Sequence, residues 1–175
     1  MNLYHFGLVQ YMSNLSDLER LIDHLDKRPK MFVLTEDIES LYLILLGWDF
    51  ASSQDFGQCL IRRIAHIKKL GSAIPTSKHI SFKDSLKELS NIVIQKRIIE
   101  KLKDKGLYAK ISRTDSFLII CSKTAHKNDI MFSGASGIAV VEDKCMVTYG
   151  QTHVEDLSFY DAIELVEKQQ TNVQK

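Results

Sequence analysis

Ile98-Ile-Glu-Lys-Leu-Lys-Asp-Lys-Gly-Leu-Tyr-Ala-Lys-Ile-Ser112 changes character halfway along. Up to Lys105 it continues a row of apolar residues at helical spacing, through Leu86, Leu89, Val93, Ile98 and Leu102. Gly106 can take the left-handed conformation that stops a helix, and Lys101, Lys103 and Lys105 suit the negative end of its dipole. Beyond the glycine, Leu107 to Ser112 is β-branched and aromatic, as are Ser116 to Ser122, Gly137 to Val141 and Cys145 to Tyr149. Glu142-Asp143-Lys144 reads as a hairpin turn between the last two.

Upstream of this switch the chain reads as helices. Ser81-Phe-Lys-Asp84 has the form of a capping box and opens the long helix at about Phe82. Phe56 to Leu70 is a helix with Leu60, Ile61, Ile64 and Ile67 inward, ended by Gly71. Thr35 with Glu36 and Asp37 starts another, burying Leu41, Ile44, Leu45 and Trp48. Asn14 or Ser16 caps the first, where Ser16-Asp-Leu-Glu19 is again box-like and Leu18, Leu21, Ile22 and Leu25 form the stripe; Pro29 stops it near Lys27. Leu3 to Tyr11 suits a strand or a short helix, and Ser72 to His79 a loop. Downstream, Ser158 to Lys168 reads as a closing helix with Phe159, Ala162, Ile163 and Val166 inward.

Helices first and strands later predict an α+β fold, with N-terminal helices, a small antiparallel sheet and a C-terminal helix. The length fits a single domain over 1–175, helical over about 14–105, strand-rich over about 107–149 and helical again over about 158–168. No run approaches the roughly 18 apolar residues of a membrane span, and Met1 to Gln10 has no basic n-region or signal-peptide core, so a cytoplasmic protein with no membrane partner is expected. Cys59, Cys121 and Cys145 are odd in number and widely spaced, which suits reduced, buried thiols.

Net charge is +1 and unevenly spread along the chain. Residues 1–59 hold 4 Lys/Arg and 9 Asp/Glu, whereas residues 60–105 hold 12 and 4. The basic stretch includes Arg62, Arg63, Lys68, Lys69, Lys96, Arg97, Lys101, Lys103 and Lys105, which could neutralise several phosphates, although no nucleic-acid-binding signature accompanies them. The alternative is that they pair with the acidic N-terminal third.

Motifs for chemistry are weak. Ser133-Gly-Ala-Ser-Gly137 would need glycine at Ile138 to be a hydrolase nucleophile turn, so it reads as a turn before a strand. Cys121 with His126 and Cys145 with His153 could supply four zinc ligands, but the second spacing fits structural zinc badly. Asp23 with Asp26, Glu36 with Asp37 and Glu155 with Asp156 are paired carboxylates of the kind helix starts and solvated faces carry. The sequence therefore assigns no catalytic residue, metal or cofactor. An enzyme would draw on Cys121, Cys145 or His153 in the strand-rich half.

One passage carries a resemblance. Leu21-Ile-Asp-His-Leu-Asp-Lys-Arg-Pro-Lys-Met-Phe-Val-Leu34, continuing through Ile38, Leu41, Tyr42 and Leu45 to Gly47-Trp-Asp-Phe-Ala51, resembles the "helix, Arg-Pro-x-Met-aromatic, helix, Gly-aromatic" opening of small bacterial immunity proteins encoded beside polymorphic and contact-dependent growth inhibition toxins. It covers residues 18–51, with Lys30 where glycine is frequent and Phe32 and Trp48 where tyrosine is. Pro29 is expected to fix the turn between two helices, Met31 and Phe32 to plug the gap between them, and Gly47 to permit close packing. The resemblance implies a protein that binds a cognate toxin domain, with a nuclease as the candidate class, and blocks its active site. Acidic side chains suit a basic substrate cleft. The candidate toxin-binding residues are Asp17, Glu19, Asp23 and Asp26 on the first helix, Glu36, Asp37 and Glu39 at the start of the second, and Glu155, Asp156 and Asp161 near the closing helix.

Overall fold

Gly106 ends the longest helix as its position demands. Its φ of +74° is left-handed, its N–H donates to the Lys103 carbonyl, and the Leu107 N–H donates back to Leu102, both at 2.9 Å. This pair of bonds is the Schellman stop, completed by burial of Leu102 and Leu107. The computed structural model describes residues 15–71, 80–123, 135–141 and 144–172, with the backbone alone at 68–71, 141 and 172. The segments expected at Leu3 to Tyr11 and Ser72 to His79 lie outside the described residues, as do Glu142 and Asp143 of the expected hairpin turn.

The element order is α1 (Leu15–Lys27), a 3-10 turn (Pro29–Met31), α2 (Ile38–Ser52), α3 (Phe56–Gly71), α4 (Phe82–Asp104), β1 (Tyr108–Ile111), β2 (Leu118–Ser122), β3 (Ser136–Val141), β4 (Lys144–Tyr149), β5 (Thr152–Leu157) and α5 (Phe159–Asn172). This is an α+β fold. The chain divides after Val93, within α4, into two compact units.

The first unit is helical. Leu18, Ile22 and Leu25 of α1, Leu41, Leu45 and Trp48 of α2, and Phe56, Leu60 and Ile64 of α3 are buried, as are Leu86 and Leu89 of α4. Ser81 and Asp84 form the expected capping box, the hydroxyl donating to the carboxylate at 2.7 Å and accepting the Asp84 N–H at 3.1 Å. Two starts differ from expectation. Helix α1 already includes Ser16, so that residue is no cap, and Asn14 is outside the described residues. Helix α2 is capped by Asp37, whose carboxylate accepts the Ser40 N–H at 2.7 Å. Thr35 lies further out, its hydroxyl 2.9 Å from that of Ser40. Ile61, expected inward, is 40% exposed.

The second unit is an antiparallel meander in the order β1-β2-β3-β4-β5. Pairs such as Ala109↔Cys121, Ile119↔Ile138 and Val140↔Cys145 set the register and put alternate side chains on one face. Ile119, Cys121, Ile138, Val140, Cys145 and Val147 pack there with Ile98, Ile99 and Leu102 of α4 and with Ala162, Ile163 and Val166 of α5. Strand β5 was not expected. Gly150, at φ +57°, turns the chain within a two-residue loop between Tyr149 and Thr152. Strand β5 itself is a polar edge, Thr-His-Val-Glu-Asp-Leu, exposed along nearly its whole length. Edge strands escape apolar alternation because one side and one face meet water.

Candidate functional site

The acids proposed for partner binding do several different jobs. On α1, Asp17 lies 3.7 Å from Arg20 and Asp23 lies 2.8 Å from Lys27, so cations alternate with the carboxylates along the helix. Asp26 is exposed and Glu19 half-buried. At the start of α2, Asp37 is committed to its cap. The Thr35 hydroxyl, then the Ser40 amide and hydroxyl, hold its carboxyl below the usual carboxylate range. Glu36 and Glu39 flank it on the surface.

The third acidic group does not belong with a helix face. Glu155 and Asp156 are in β5, where Cys145↔Leu157 and Val147↔Val154 leave both opposite the single residue Met146. That two-against-one count is a bulge, and Asp156 takes a left-handed φ of +56° within it. Glu155 sits 3.9 Å from His153, both well exposed. Asp161 closes the capping box of α5, accepting from the Ser158 hydroxyl at 2.5 Å and donating its N–H to it at 3.2 Å. These three belong to the second unit, and the other seven candidates to the first.

The resemblance-bearing passage differs more sharply. Pro29 does occupy the first position of a short turn after α1, with the Phe32 and Val33 N–H groups both bonded to its carbonyl at 2.9 Å. Val33 is the buried residue there. Met31 and Phe32 are not plugs: they are 70% and 44% exposed, and Leu34 is fully exposed. Phe32 stacks on His24, ring centres 6.1 Å apart, and the two line a shallow cavity of about 360 Å³ with Asp23, Lys27, Arg28 and Met31. Gly47 is no close-packing point either, since a Cβ there would meet nothing within 4 Å.

The helix α2 is apolar on two sides. Leu41, Leu45 and Trp48 face inward, while Leu43, Leu46 and Phe50 are 67%, 39% and 93% exposed. A helix apolar all round is ordinarily buried all round. The exposed row is the departure.

The close approach in this passage is made instead by Asp49 and Gly57. The two Asp49 carboxylate oxygens accept the Phe56 and Gly57 N–H groups, each at 2.7 Å, and so cap α3 from the end of α2. A Cβ on Gly57 would lie 3.2 Å from both Asp49 and the Tyr42 ring, tighter than an ordinary van der Waals contact. The signal for this in sequence was only an acid preceding a helix start.

Three cations of the basic stretch are paired with acids. Arg63 is 1% exposed and paired with Glu88 of α4, inside the first unit. Arg62 reaches Asp55 at 3.7 Å, and Lys105 is paired with Glu167 of α5 in the second unit. The side chains of Lys68 and Lys69 lie outside the described residues.

Cys59, Cys121 and Cys145 are all buried, and none forms a disulfide. Burial pushes the Cys121 thiol up to about 12 and that of Cys145 up to about 11, so neither supplies thiolate near neutrality. Cys121 donates to the Ser136 carbonyl at 3.2 Å. Ser136 itself is a strand residue, held by Gln169 and Gln170, while Ser133, Gly134 and His126 lie outside the described residues. Among the described residues no group of three or more His, Cys, Asp or Glu could hold a metal ion, and no helix is long and apolar enough to cross a membrane. No family model, curated protein or solved structure matches the chain.

Proposed function

We propose that this is a cytoplasmic immunity protein, a stoichiometric inhibitor that binds a cognate toxin domain of a contact-dependent or polymorphic toxin system, with a nuclease as the candidate class. The observation that carries the reading is the outward display of the Arg-Pro-x-Met-Phe passage. Met31, Phe32 and Leu34 stand exposed, Met31 and Phe32 share a cavity with Asp23, His24, Lys27 and Arg28, and Asp26 and Glu36 are exposed in the same stretch of chain. Methionine and aromatic side chains rimmed by charge are what protein interfaces favour, and acidic groups fit the phosphate-binding cleft of a nuclease. Burial and raised pKa values count against Cys121 and Cys145 as nucleophiles. The nucleic-acid alternative loses support from Arg63, which is buried against Glu88.

The test is co-expression with the toxin domain encoded by the adjacent gene. Rescue of growth, with a 1:1 complex that survives gel filtration and forms more slowly as salt is raised, is the expected result. Unrescued growth with no complex at micromolar concentrations contradicts it.

A further inference from the structure

We infer that the outer row of α2 is the seat of an amphipathic helix from a heterologous partner, one that presents a basic residue at one end of its apolar face. Leu43, Leu46, Gly47 and Phe50 recur at i, i+3, i+4 and i+7 and therefore share one helix face. The three large side chains are exposed, and the space over Gly47 is open to 4 Å. Bulky flanks with a notch between them are the surface that a ridge of another helix enters.

Charge decides between occupants. Glu39 heads the same row one turn before Leu43, and the last turn of α2 holds no basic residue. A second copy packed antiparallel would bring each Glu39 to the negative end of the other α2. Packed parallel, it would oppose Glu39 to Glu39. Both arrangements are repulsive. A partner helix with Lys or Arg at the matching end satisfies the apolar row and Glu39 together.

The seat deepens the reading as a toxin-binding protein and rests on it for the partner's identity, yet it can be tested alone. Two synthetic helical peptides of about 18 residues, one Leu/Lys and one Leu/Glu, are titrated against the full chain by fluorescence anisotropy. The Leu/Lys peptide is expected to bind and the Leu/Glu peptide not to. Affinity should fall ~10-fold or more in Leu46→Ser/Phe50→Ser, and ~3-fold or more in Glu39→Lys, with circular dichroism unchanged. Equal binding by Leu46→Ser/Phe50→Ser overturns the seat. So does concentration-dependent self-association abolished by those changes, which would make a second copy the occupant. Binding that appears only after residues 1–14 are removed also overturns it, since the chain's own N-terminal segment would then be the cover.

The two readings fail differently. Toxin rescue by Leu46→Ser/Phe50→Ser equal to that of the unaltered chain removes the seat and leaves the immunity reading. Peptide binding at the row without toxin rescue removes the immunity reading and leaves the seat.

Discussion

The two units treat apolar side chains in opposite ways. In the second, the meander and α5 enclose one layer that holds Ile119, Ile138, Val140 and Val147 of the strands, with Ile111 packed against it. In the first, Met31, Phe32, Leu34, Leu43, Leu46, Phe50 and Ile61 all face outward. Burying such a side chain stabilises by about 1.5–3 kcal/mol, a gain that these seven largely forgo in the first unit. The contrast separates a unit whose strands share one buried layer from one that leaves several large apolar side chains exposed.

Breaking each unit at its tightest point should show this. The largest effect is expected at Arg63, whose loss strands the Glu88 carboxylate inside the helical unit: Arg63→Ala should cost about 3–5 kcal/mol in urea unfolding. Arg63→Met with Glu88→Leu should recover most of it, because the desolvation cost of the pair is removed with its attraction. Failure of the double variant to recover would place the effect in packing alone.

Next is the sheet layer. Ile119→Ala, at a fully buried position facing Ile138, should cost about 2–4 kcal/mol through lost contact and a residual cavity. The same layer predicts an alkaline response. The Cys121 pKa rises on folding from its ordinary 9.0 to about 12, so burial of the neutral thiol contributes stability that is complete below pH 9 and lost as pH climbs towards 12. The unfolding midpoint should therefore fall between pH 8 and 10.5, and fall less in Cys121→Val.

Asp49→Ala should cost about 1–2 kcal/mol, since two N–H groups at the start of α3 lose their acceptor. A loss under about 0.3 kcal/mol would mean that water replaces the carboxylate there. The smallest effect is expected on the exposed row: Leu34→Ser and Phe50→Ser should change stability by less than about 0.5 kcal/mol. A large loss at either would show that the side chain is buried in solution and would erase the contrast between the units.

The sequence carried these features unequally. Helix–strand order was legible because it follows from periodicity, and the stop at Gly106 from a residue that tolerates positive φ. Strand β5 was not, because an edge strand with a polar face has no alternation to detect. Arg63 read as a surface cation, since sequence displays a charge and hides its partner on α4. Met31 and Phe32 read as plugs for the converse reason: apolar identity predicts burial in general, and an exposed exception is indistinguishable from the rule until neighbours are in place. The acids were legible as acids only. Whether each caps, pairs or faces solvent depends on a hydroxyl or cation a turn away, as Asp37 with Thr35 and Asp23 with Lys27 show.

The most direct test of the proposed binding surface is hydrogen–deuterium exchange with and without the toxin domain proposed as its partner. The account predicts that binding slows exchange over residues 31–50 and leaves β1–β5 unchanged. Protection confined to the sheet, with residues 31–50 exchanging as before, would contradict it.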